Sequence, residues 1–178
     1  MKSIFKPALV LLLICTAVTA LLAGVHLLTA DAIAQTEQKA LQAALCAVCP
    51  AAQTFDPVAD PEMQGYRCLD AAGDTVGYAF VRSAKGYGGA VTVTVGFDKT
   101  GKVTGISVAA PDETPGLGAN VKKPAFTDQF TGKESGTELD IENNIHRVTG
   151  ASFSSRAVTE AVNAAMADYR KVAGGDAK

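Results

Sequence analysis

The sequence has 178 residues and a nearly balanced charge, with 16 Lys and Arg against 18 Asp and Glu. This length excludes two full-sized domains, and a net charge of −2 provides no basic field of the kind that attracts nucleic acid. Trp is absent and only 6% of the residues are aromatic, which argues against a surface for stacking bases. We therefore expect no nucleic-acid partner.

A long apolar segment begins near the N-terminus. Residues 7–30, PALVLLLICTAVTALLAGVHLLTA, contain no Asp, Glu, Lys or Arg, and about 20 apolar residues suffice for a helix to cross a bilayer. Lys2 and Lys6 precede the segment and Asp31 follows it, so the positive-inside rule predicts a single-pass anchor with a cytoplasmic N-terminus. A signal peptide cleaved near residues 32–34 is the alternative. A buried core helix is disfavoured because a helix of 24 residues that is apolar all round is too large for so small a soluble domain to bury. We expect an inner or plasma membrane protein whose remainder is extracytoplasmic.

Three cysteines follow the apolar segment. Cys46 and Cys49 form a CxxC motif, and Cys68 stands alone further along the chain. A CxxC motif is found in redox sites, in metal sites and in disulfides, but a zinc site usually takes four ligands. Outside the cytoplasm, the simplest interpretation is a disulfide between two of these three thiols. The sequence leaves the pairing open.

A helix and then a linker are predicted between the anchor and the folded domain. The stretch before Pro50 has apolar residues at helical spacings, and the proline predicts the end of this helix. The stretch from residue 51 to 65 has two prolines and little periodicity, which predicts an irregular linker. We therefore divide the chain into an N-terminus and anchor at 1–31, a juxtamembrane helix and linker at 32–64, and a folded domain at 65–178.

The folded domain begins with a pattern of short strands. Residues 65–89 contain two apolar runs separated by a turn signal, Ala-Gly-Asp. In residues 90–98, AVTVTVGFD, valines and Phe97 alternate with threonines and a glycine, and a turn then leads into the apolar KVTGISVAA. This period of two predicts a β-hairpin in an antiparallel sheet with one buried face.

Loops and helices are predicted for the second half of the domain. Residues 111–124, PDETPGLGANVKKP, predict an irregular loop, and residues 125–133 predict a short helix or turn. One strand is predicted near residues 145–148. A C-terminal helix is predicted from a stripe at helical spacing, formed by Val158, Val162, Ala165, Met166 and Tyr169. The predicted fold class is α+β, a single transmembrane helix followed by an antiparallel sheet packed by helices.

Small and hydroxylated residues stand immediately before the C-terminal helix. They are Thr149, Gly150, Ala151, Ser152, Ser154 and Ser155. A single N-cap needs one hydroxyl, whereas a helix N-terminus with accessible backbone is suited to holding a phosphate. The residues alone leave two interpretations open, a phosphate site or a plain helix start with solvated serines, and they favour the second.

The stretch VTGASFSSRAVTEAVNAA resembles the flavin-attachment motif of the FMN-binding subunits of Rnf and sodium-pumping NADH:quinone reductase complexes. That motif carries Ser/Thr-Gly-Ala-Ser/Thr, and residues 149–152 match it. Its last hydroxyl bears FMN through a phosphodiester bond, so the resemblance implies attachment at Ser152, with Ser154 and Ser155 opening the helix that faces the phosphate. Ser152 replaces the usual threonine, and His146 replaces the usual acidic residue.

A second block carries the same resemblance. The hexapeptide ETPGLG, in a loop that the family places against the isoalloxazine ring, is present in full as Glu113, Thr114, Pro115, Gly116, Leu117 and Gly118. The N-terminal LLAGVHLLTADAIA also resembles the anchor of the RnfG family. The resemblance therefore implies an FMN-binding domain for residues 65–178.

The function that this resemblance implies is electron transport through FMN within an Rnf-type ferredoxin:NAD oxidoreductase that translocates ions. The implied partners are the other membrane, flavin and iron–sulfur subunits of the complex and a flavin transferase that loads FMN. No catalytic acid or base is nominated, because the cofactor carries the redox chemistry. The alternatives are the equivalent subunit of a sodium-translocating NADH:quinone reductase, a stand-alone membrane-tethered FMN-binding protein, and an adhesion or scaffold protein without flavin.

Overall fold

The computed structural model describes residues 2–60 and 63–175. Residues 61–62 of the predicted linker and residues 176–178 of the predicted folded domain lie outside the described residues. The chain divides into two compact units, Met1–Gln42 and Ala43–Lys178. The described residues of the first unit lie within a single helix, and the second unit contains a sheet and helices.

Helix α1 (Lys2–Val48) contains the apolar segment. Its large apolar side chains from Leu9 to Leu28 are exposed, and the Thr16 and Thr29 hydroxyls donate to carbonyl oxygens one turn earlier. Such internal hydrogen bonds satisfy polar groups where water is absent. Among the described residues, one helical stretch is long and apolar enough to cross a membrane, and it lies within α1. The prediction that the helix ends near Pro50 is confirmed.

Within the described residues, five antiparallel strands form one sheet in the order β1-β2-β3-β4-β5, which confirms the predicted sheet and the α+β fold class. Each strand pairs with its neighbour in sequence. The strands are β1 (Thr54–Pro57), β2 (Gln64–Leu69), β3 (Thr75–Lys85), β4 (Ala90–Asp98) and β5 (Val103–Ala109). The predicted hairpin is β4–β5, with Val95 opposite Ile106.

Strand β1 corrects the prediction that this stretch is irregular. Its residues pair with β2, Phe55 opposite Cys68 and Pro57 opposite Tyr66. A strand of four residues is too short to show an alternating pattern, and a proline is tolerated because the strand lies at the sheet edge. The sheet therefore begins about ten residues before the first predicted strand.

The core lies between one sheet face and helix α3 (Ser152–Gly175). The alternating side chains of β4 that the sequence assigns to the buried face are fully buried, and Phe97 stacks on Tyr169 of α3 with ring centroids 4.9 Å apart. The predicted helical stripe is buried as well: Val158, Val162, Ala165, Met166 and Tyr169. An ion pair between Arg82 of β3 and Asp168 of α3 also joins the helix to the sheet.

The segment between β5 and α3 differs from the prediction at two places. A 3₁₀-helix, Gly118–Lys122, occupies part of the predicted loop, and it precedes α2 (Pro124–Thr127) and a further 3₁₀ turn, Asp128–Phe130. The last two confirm the predicted short helix. The prediction of a strand near residues 145–148 is wrong. Residues 138–150 are irregular with turns at 142–144 and 149–150, and Ile145 forms only an isolated bridge with Ile141.

Candidate functional site

A cleft of about 330 Å³ lies where the loop after β5 meets the N-terminus of α3. Its volume is within the range of small-molecule and cofactor sites. The β3–β4 loop contributes Tyr87, the loop after β5 contributes Glu113, Thr114, Leu117 and Gly118, and the start of α3 contributes Gly150, Ala151, Ser152, Phe153 and Ser154. Three segments far apart in sequence therefore form one concave surface.

A buried carboxylate occupies the floor of this cleft. Glu113 is only 4% exposed, and its Oε1 accepts a hydrogen bond of 2.8 Å from the backbone N–H of Tyr87. Its Oε2 is buried and has no hydrogen-bond partner among the described residues. Because buried polar atoms are rarely left unsatisfied, this oxygen is a candidate acceptor for a ligand bound in the cleft.

Two glycines keep the cleft walls close together. A Cβ at Gly118 would collide with Glu113 Oε2 and lie 2.9 Å from Ser154 Oγ. Gly150 has a φ of +78°, in the left-handed region that side chains disfavour, and its Cβ would lie 3.0 Å from Leu117. Gly118 of the ETPGLG loop and Gly150 of the attachment motif therefore let the loop after β5 lie close to the start of α3.

The four hydroxyls of residues 149–155, at the start of α3, have different environments. Ser155 is fully buried and its Oγ accepts the backbone N–H of Val148 at 3.0 Å, and Ser154 is buried beside Gly118. Thr149 and Ser152 are exposed. Ser155 therefore has a structural role at the helix start, while the Ser152 hydroxyl is free to react at the end of a helix whose first N–H groups lack intrahelical partners.

Three exposed apolar side chains surround the cleft. Tyr87, Leu117 and Phe153 are 74%, 50% and 64% exposed, and they are the large exposed hydrophobics among the described residues after α1. The rings of Tyr87 and Phe153 are 6.1 Å apart at an interplanar angle of 43°. Exposed apolar groups gathered at one concave surface mark a binding site.

A second, charged cleft of about 430 Å³ lies beside the first, and Ser152 lines both. Its charged side chains are Asp140, Glu142, Arg147, Arg156 and Glu160. Arg147 forms an exposed ion pair with Glu142 at 2.8 Å. The Ser152 hydroxyl thus stands between an apolar cavity and a charged one.

The predicted site residues divide into two groups. Those that line the first cleft are Glu113, Thr114, Leu117, Gly118, Gly150, Ala151, Ser152 and Ser154. Those that do not are Pro115, Gly116, Thr149 and Ser155, which lie in the same two segments. His146 lines a different cavity, where its backbone N–H and carbonyl both bond the side chain of Gln129 at 2.8 and 3.1 Å.

Two further residues that the sequence does not predict as site residues, Tyr87 and Phe153, also line the cleft. Tyr87 is flanked by glycines in the β3–β4 loop, and Phe153 is flanked by serines in the first turn of α3, positions where no core side chain is expected. An aromatic residue in such a setting is a usable signal for a binding surface, since loops carry function more often than packing.

Two family descriptions match the chain, FMN-binding domain over residues 86–167 and RnfG N-terminal region over residues 1–48. The G subunit of the proton-translocating ferredoxin:NAD(+) oxidoreductase complex of Clostridium ljungdahlii is 37% identical, over 57% of this chain and 57% of its own length. The G subunit of the Na(+)-translocating ferredoxin:NAD(+) oxidoreductase complex of Acetobacterium woodii is 30% identical, over 96% of this chain and 94% of its own.

A solved structure shares the fold. The C subunit of the Na(+)-translocating NADH-quinone reductase of Parabacteroides distasonis superposes with a TM-score of 0.50 and 21% identity, over 62% of each chain. The first cleft lies entirely within the residues that match the FMN-binding domain, and the apolar helix lies within those that match the RnfG N-terminal region. The chain therefore belongs to the RnfG family and carries that family's FMN-binding domain.

Proposed function

We propose that this chain carries FMN in phosphodiester linkage to Ser152 and transfers electrons as the RnfG component of an Rnf-type, ion-translocating ferredoxin:NAD oxidoreductase complex. The observation that carries this proposal is the position of Ser152. Its side chain is exposed at the first residue of α3, and it lines both an apolar cleft and a charged one. A flavin linked there has a site for its ring on one side and for its phosphate on the other.

The residues of the first cleft fit an isoalloxazine ring. Tyr87, Leu117 and Phe153 provide the apolar surface that an aromatic ring needs, and Glu113 Oε2 is a buried acceptor without a partner. Gly118 and Gly150 have no side chain, and a Cβ at either position would narrow the cleft. This combination of apolar walls and one oriented polar atom is typical of cofactor sites.

The start of α3 fits a phosphate. The helix dipole and the unpaired N–H groups of its first turn favour an anion at Ser152. Arg156 follows one turn later and lines the charged cleft together with Arg147. We propose that these two cations offset the negative charge that the phosphodiester adds to a cleft already lined by three acidic side chains.

The division of labour between cofactor and protein follows from these contacts. FMN supplies the capacity to accept and donate electrons. The chain holds the ring in the apolar cleft, orients it through Glu113, and fixes the phosphate at α3. Tyr87 and Phe153 remain largely exposed, which leaves one side of the site open to a neighbouring electron carrier.

The partners and topology follow from the same proposal. The N-terminus and anchor at 1–31 hold the chain in the inner or plasma membrane with the N-terminus cytoplasmic, the stretch 32–64 connects it, and the domain at 65–178 lies outside. A flavin transferase loads FMN onto Ser152, and other membrane, flavin and iron–sulfur subunits exchange electrons with it. Two relatives that support this assignment are named as the G subunits of ferredoxin:NAD(+) oxidoreductase complexes.

Co-expression with and without a flavin transferase tests the proposal. We expect the intact mass of the full chain to increase by one FMN less one water only when the transferase is present, and the denatured band to fluoresce as flavin. Purification from native membranes should recover the chain with the other subunits. A chain that stays unmodified with an active transferase, as shown by a second flavoprotein loaded in the same cells, would contradict covalent attachment.

Replacement of Glu113 separates its structural role from its role toward the flavin. Glu113→Ala removes the acceptor for the Tyr87 amide, which should lower the stability of the unloaded chain by about 1–3 kcal/mol. Glu113→Gln keeps an acceptor for that amide but replaces Oε2 by a donor. We expect both variants to lose much of the rise in Tm that FMN loading gives the wild type. An unchanged rise in Glu113→Gln would show that Oε2 does not contact the flavin.

A further inference from the structure

Two buried thiols face each other on the side of the sheet opposite α3. Cys49 and Cys68 are 6% and 0% exposed, and their Sγ atoms lie 2.9 Å apart, Cys68 donating to Cys49. Both are reduced in this structure. A disulfide bond is about 2.05 Å long, so a displacement of less than about 1 Å brings the two sulfur atoms to bonding distance.

Contacts other than the one between the two sulfur atoms hold the thiols close together, and one of them is from the Cys49 thiol to the Tyr78 carbonyl at 3.8 Å. The hydroxyl of Thr104 donates to the carbonyl of Val48, and the absence of a side chain at Gly96 lets that carbonyl approach the sheet. Val48 is itself buried, and Cys49 N–H continues the helix by bonding the Leu45 carbonyl. The end of α1 is therefore held against β4 and β5 at a point that brings Cys49 over β2.

The third thiol of this region is in a different environment. Cys46 is exposed, one turn before Cys49 on α1. Within residues 2–60 and 63–175, no group of three or more His, Cys, Asp or Glu side chains is arranged to hold a metal ion. The hydrogen bond from Cys68 lowers the pKa of the Cys49 thiol, and the same bond together with burial raises the pKa of Cys68. Cys49 is thus the thiol of the pair that ionises first.

We propose that Cys49 and Cys68 form a disulfide in the mature protein, closing a covalent loop between the end of α1 and β2. The proposal rests on the extracytoplasmic placement of the domain proposed above, because disulfides form in oxidising compartments. The oxidant is a dithiol oxidase carrying a reactive disulfide. One of the two cysteine thiolates attacks that disulfide, the other thiolate displaces the oxidase from the first cysteine, and the oxidase leaves with two thiols. Two protons and two electrons are lost from the cysteine pair, and the oxidase gains them.

Burial of both sulfur atoms determines when this exchange takes place. An oxidase cannot reach Cys49 or Cys68 once the end of α1 is docked, so the bond forms before folding is complete. Once formed, it is shielded from reductants in the folded domain. The exposed Cys46 thiol stays reduced and serves as an internal reference in any count of free thiols.

Thiol counting on the full chain tests the pairing. Cells are quenched in acid, and the denatured chain is alkylated with N-ethylmaleimide before its intact mass is measured. We expect two additions, at Cys15 and Cys46, and four after reduction. Cys46→Ser should give one addition before reduction and three after it, whereas Cys49→Ser and Cys68→Ser should each give three with or without reduction.

Peptide mapping identifies the bonded atoms. Without reduction, trypsin should yield residues 40–67 joined to residues 68–82, because cleavage follows Lys39, Arg67 and Arg82. The joined species should persist in Cys46→Ser, which leaves Cys49 as the only thiol in the first peptide. Four alkylated cysteines without reduction, or a joined species that persists in Cys49→Ser, would overturn the proposal.

Thermal unfolding gives an independent readout. Reduction should lower the Tm of the wild type and of Cys46→Ser by roughly 5–10 °C, and it should leave the Tm of Cys68→Ser unchanged. A wild-type Tm that is insensitive to reductant after complete reduction would overturn the proposal. The same intact-mass spectra also show whether FMN is attached. A chain with four free thiols and FMN would reject only the disulfide. A chain with two free thiols and no FMN would reject only the attachment at Ser152.

Discussion

Ser152→Ala should abolish covalent flavin completely, with no residual mass increase or in-gel fluorescence after co-expression with the flavin transferase. The reason is positional. Of the four hydroxyls in this segment, Ser155 is engaged by the Val148 amide and Ser154 is buried, so neither can replace Ser152. The substitution should leave stability within about 0.5 kcal/mol of the wild type, because the side chain is exposed.

Two matched variants control this experiment. Ser152→Thr keeps a hydroxyl at the same position and should be loaded as well as the wild type. Thr149→Ala removes the other exposed hydroxyl of the segment and should also be loaded fully. Flavin retained in Ser152→Ala but lost in Thr149→Ala would move the attachment to Thr149 and reject the assignment to Ser152.

Among substitutions of partly exposed side chains in the domain, Arg82→Met should cause the largest loss of stability. The side chain of its partner, Asp168, is only 4% exposed, and removal of the cation leaves a buried carboxylate uncompensated. Removal of one partner of a buried ion pair lowers the free energy of unfolding by about 3–5 kcal/mol. For a chain of this size, the Tm falls by about 2–4 °C for each kcal/mol lost. Because this pair ties α3 to β3, FMN loading at the start of α3 should fall as well.

A double substitution and an exposed ion pair serve as controls for Arg82→Met. Arg82→Met combined with Asp168→Leu removes the stranded charge and should recover most of the lost stability. Arg147→Met breaks the exposed pair with Glu142 and should cost less than about 1 kcal/mol. Equal losses from the buried and the exposed pair, measured by thermal unfolding of the full chain in detergent, would contradict this account of Asp168.

Elements with a strong local pattern could be predicted from the sequence. The absence of charge in residues 7–30 indicates the apolar helix, the alternation of β4 indicates the hairpin, and the stripe from Val158 to Tyr169 indicates α3. In β4 and α3, one buried face imposes a period on the residues that form it. The first helix is apolar all round, and its length and lack of charge indicate it instead. These are also the elements that confirm the predicted fold class.

Elements whose structure depends on distant contacts could not be predicted. Strand β1 is formed by pairing with β2 and has no period of its own. The segment around Ile145 has the apolar residues of a strand, but the Asn144 side chain donates to the Glu138 carbonyl and accepts the Asp140 N–H, which keeps the segment irregular. Hydrogen bonds of this kind compete with regular structure and leave no periodic signal.

The candidate site shows the same limit. Residues 149–155 alone leave a phosphate site and a plain helix start both open, and the resemblance to a flavin-attachment motif favours Ser152. Only the fold brings the ETPGLG loop to that helix and adds Tyr87 and Phe153 to the same cleft. The partner of Cys49 depends in the same way on how α1 docks on the sheet, which no local pattern records.

Fragmentation of one tryptic peptide tests the central proposal most directly. Trypsin should release residues 148–156, VTGASFSSR, which hold all four hydroxyls of the segment. From the full chain loaded by the flavin transferase, we predict one FMN on this peptide, with every fragment that contains Ser152 heavier by that group and every fragment that lacks it unshifted. FMN on Thr149, Ser154 or Ser155, or a fully unmodified peptide from the loaded cells, would contradict the proposal that Ser152 carries the flavin.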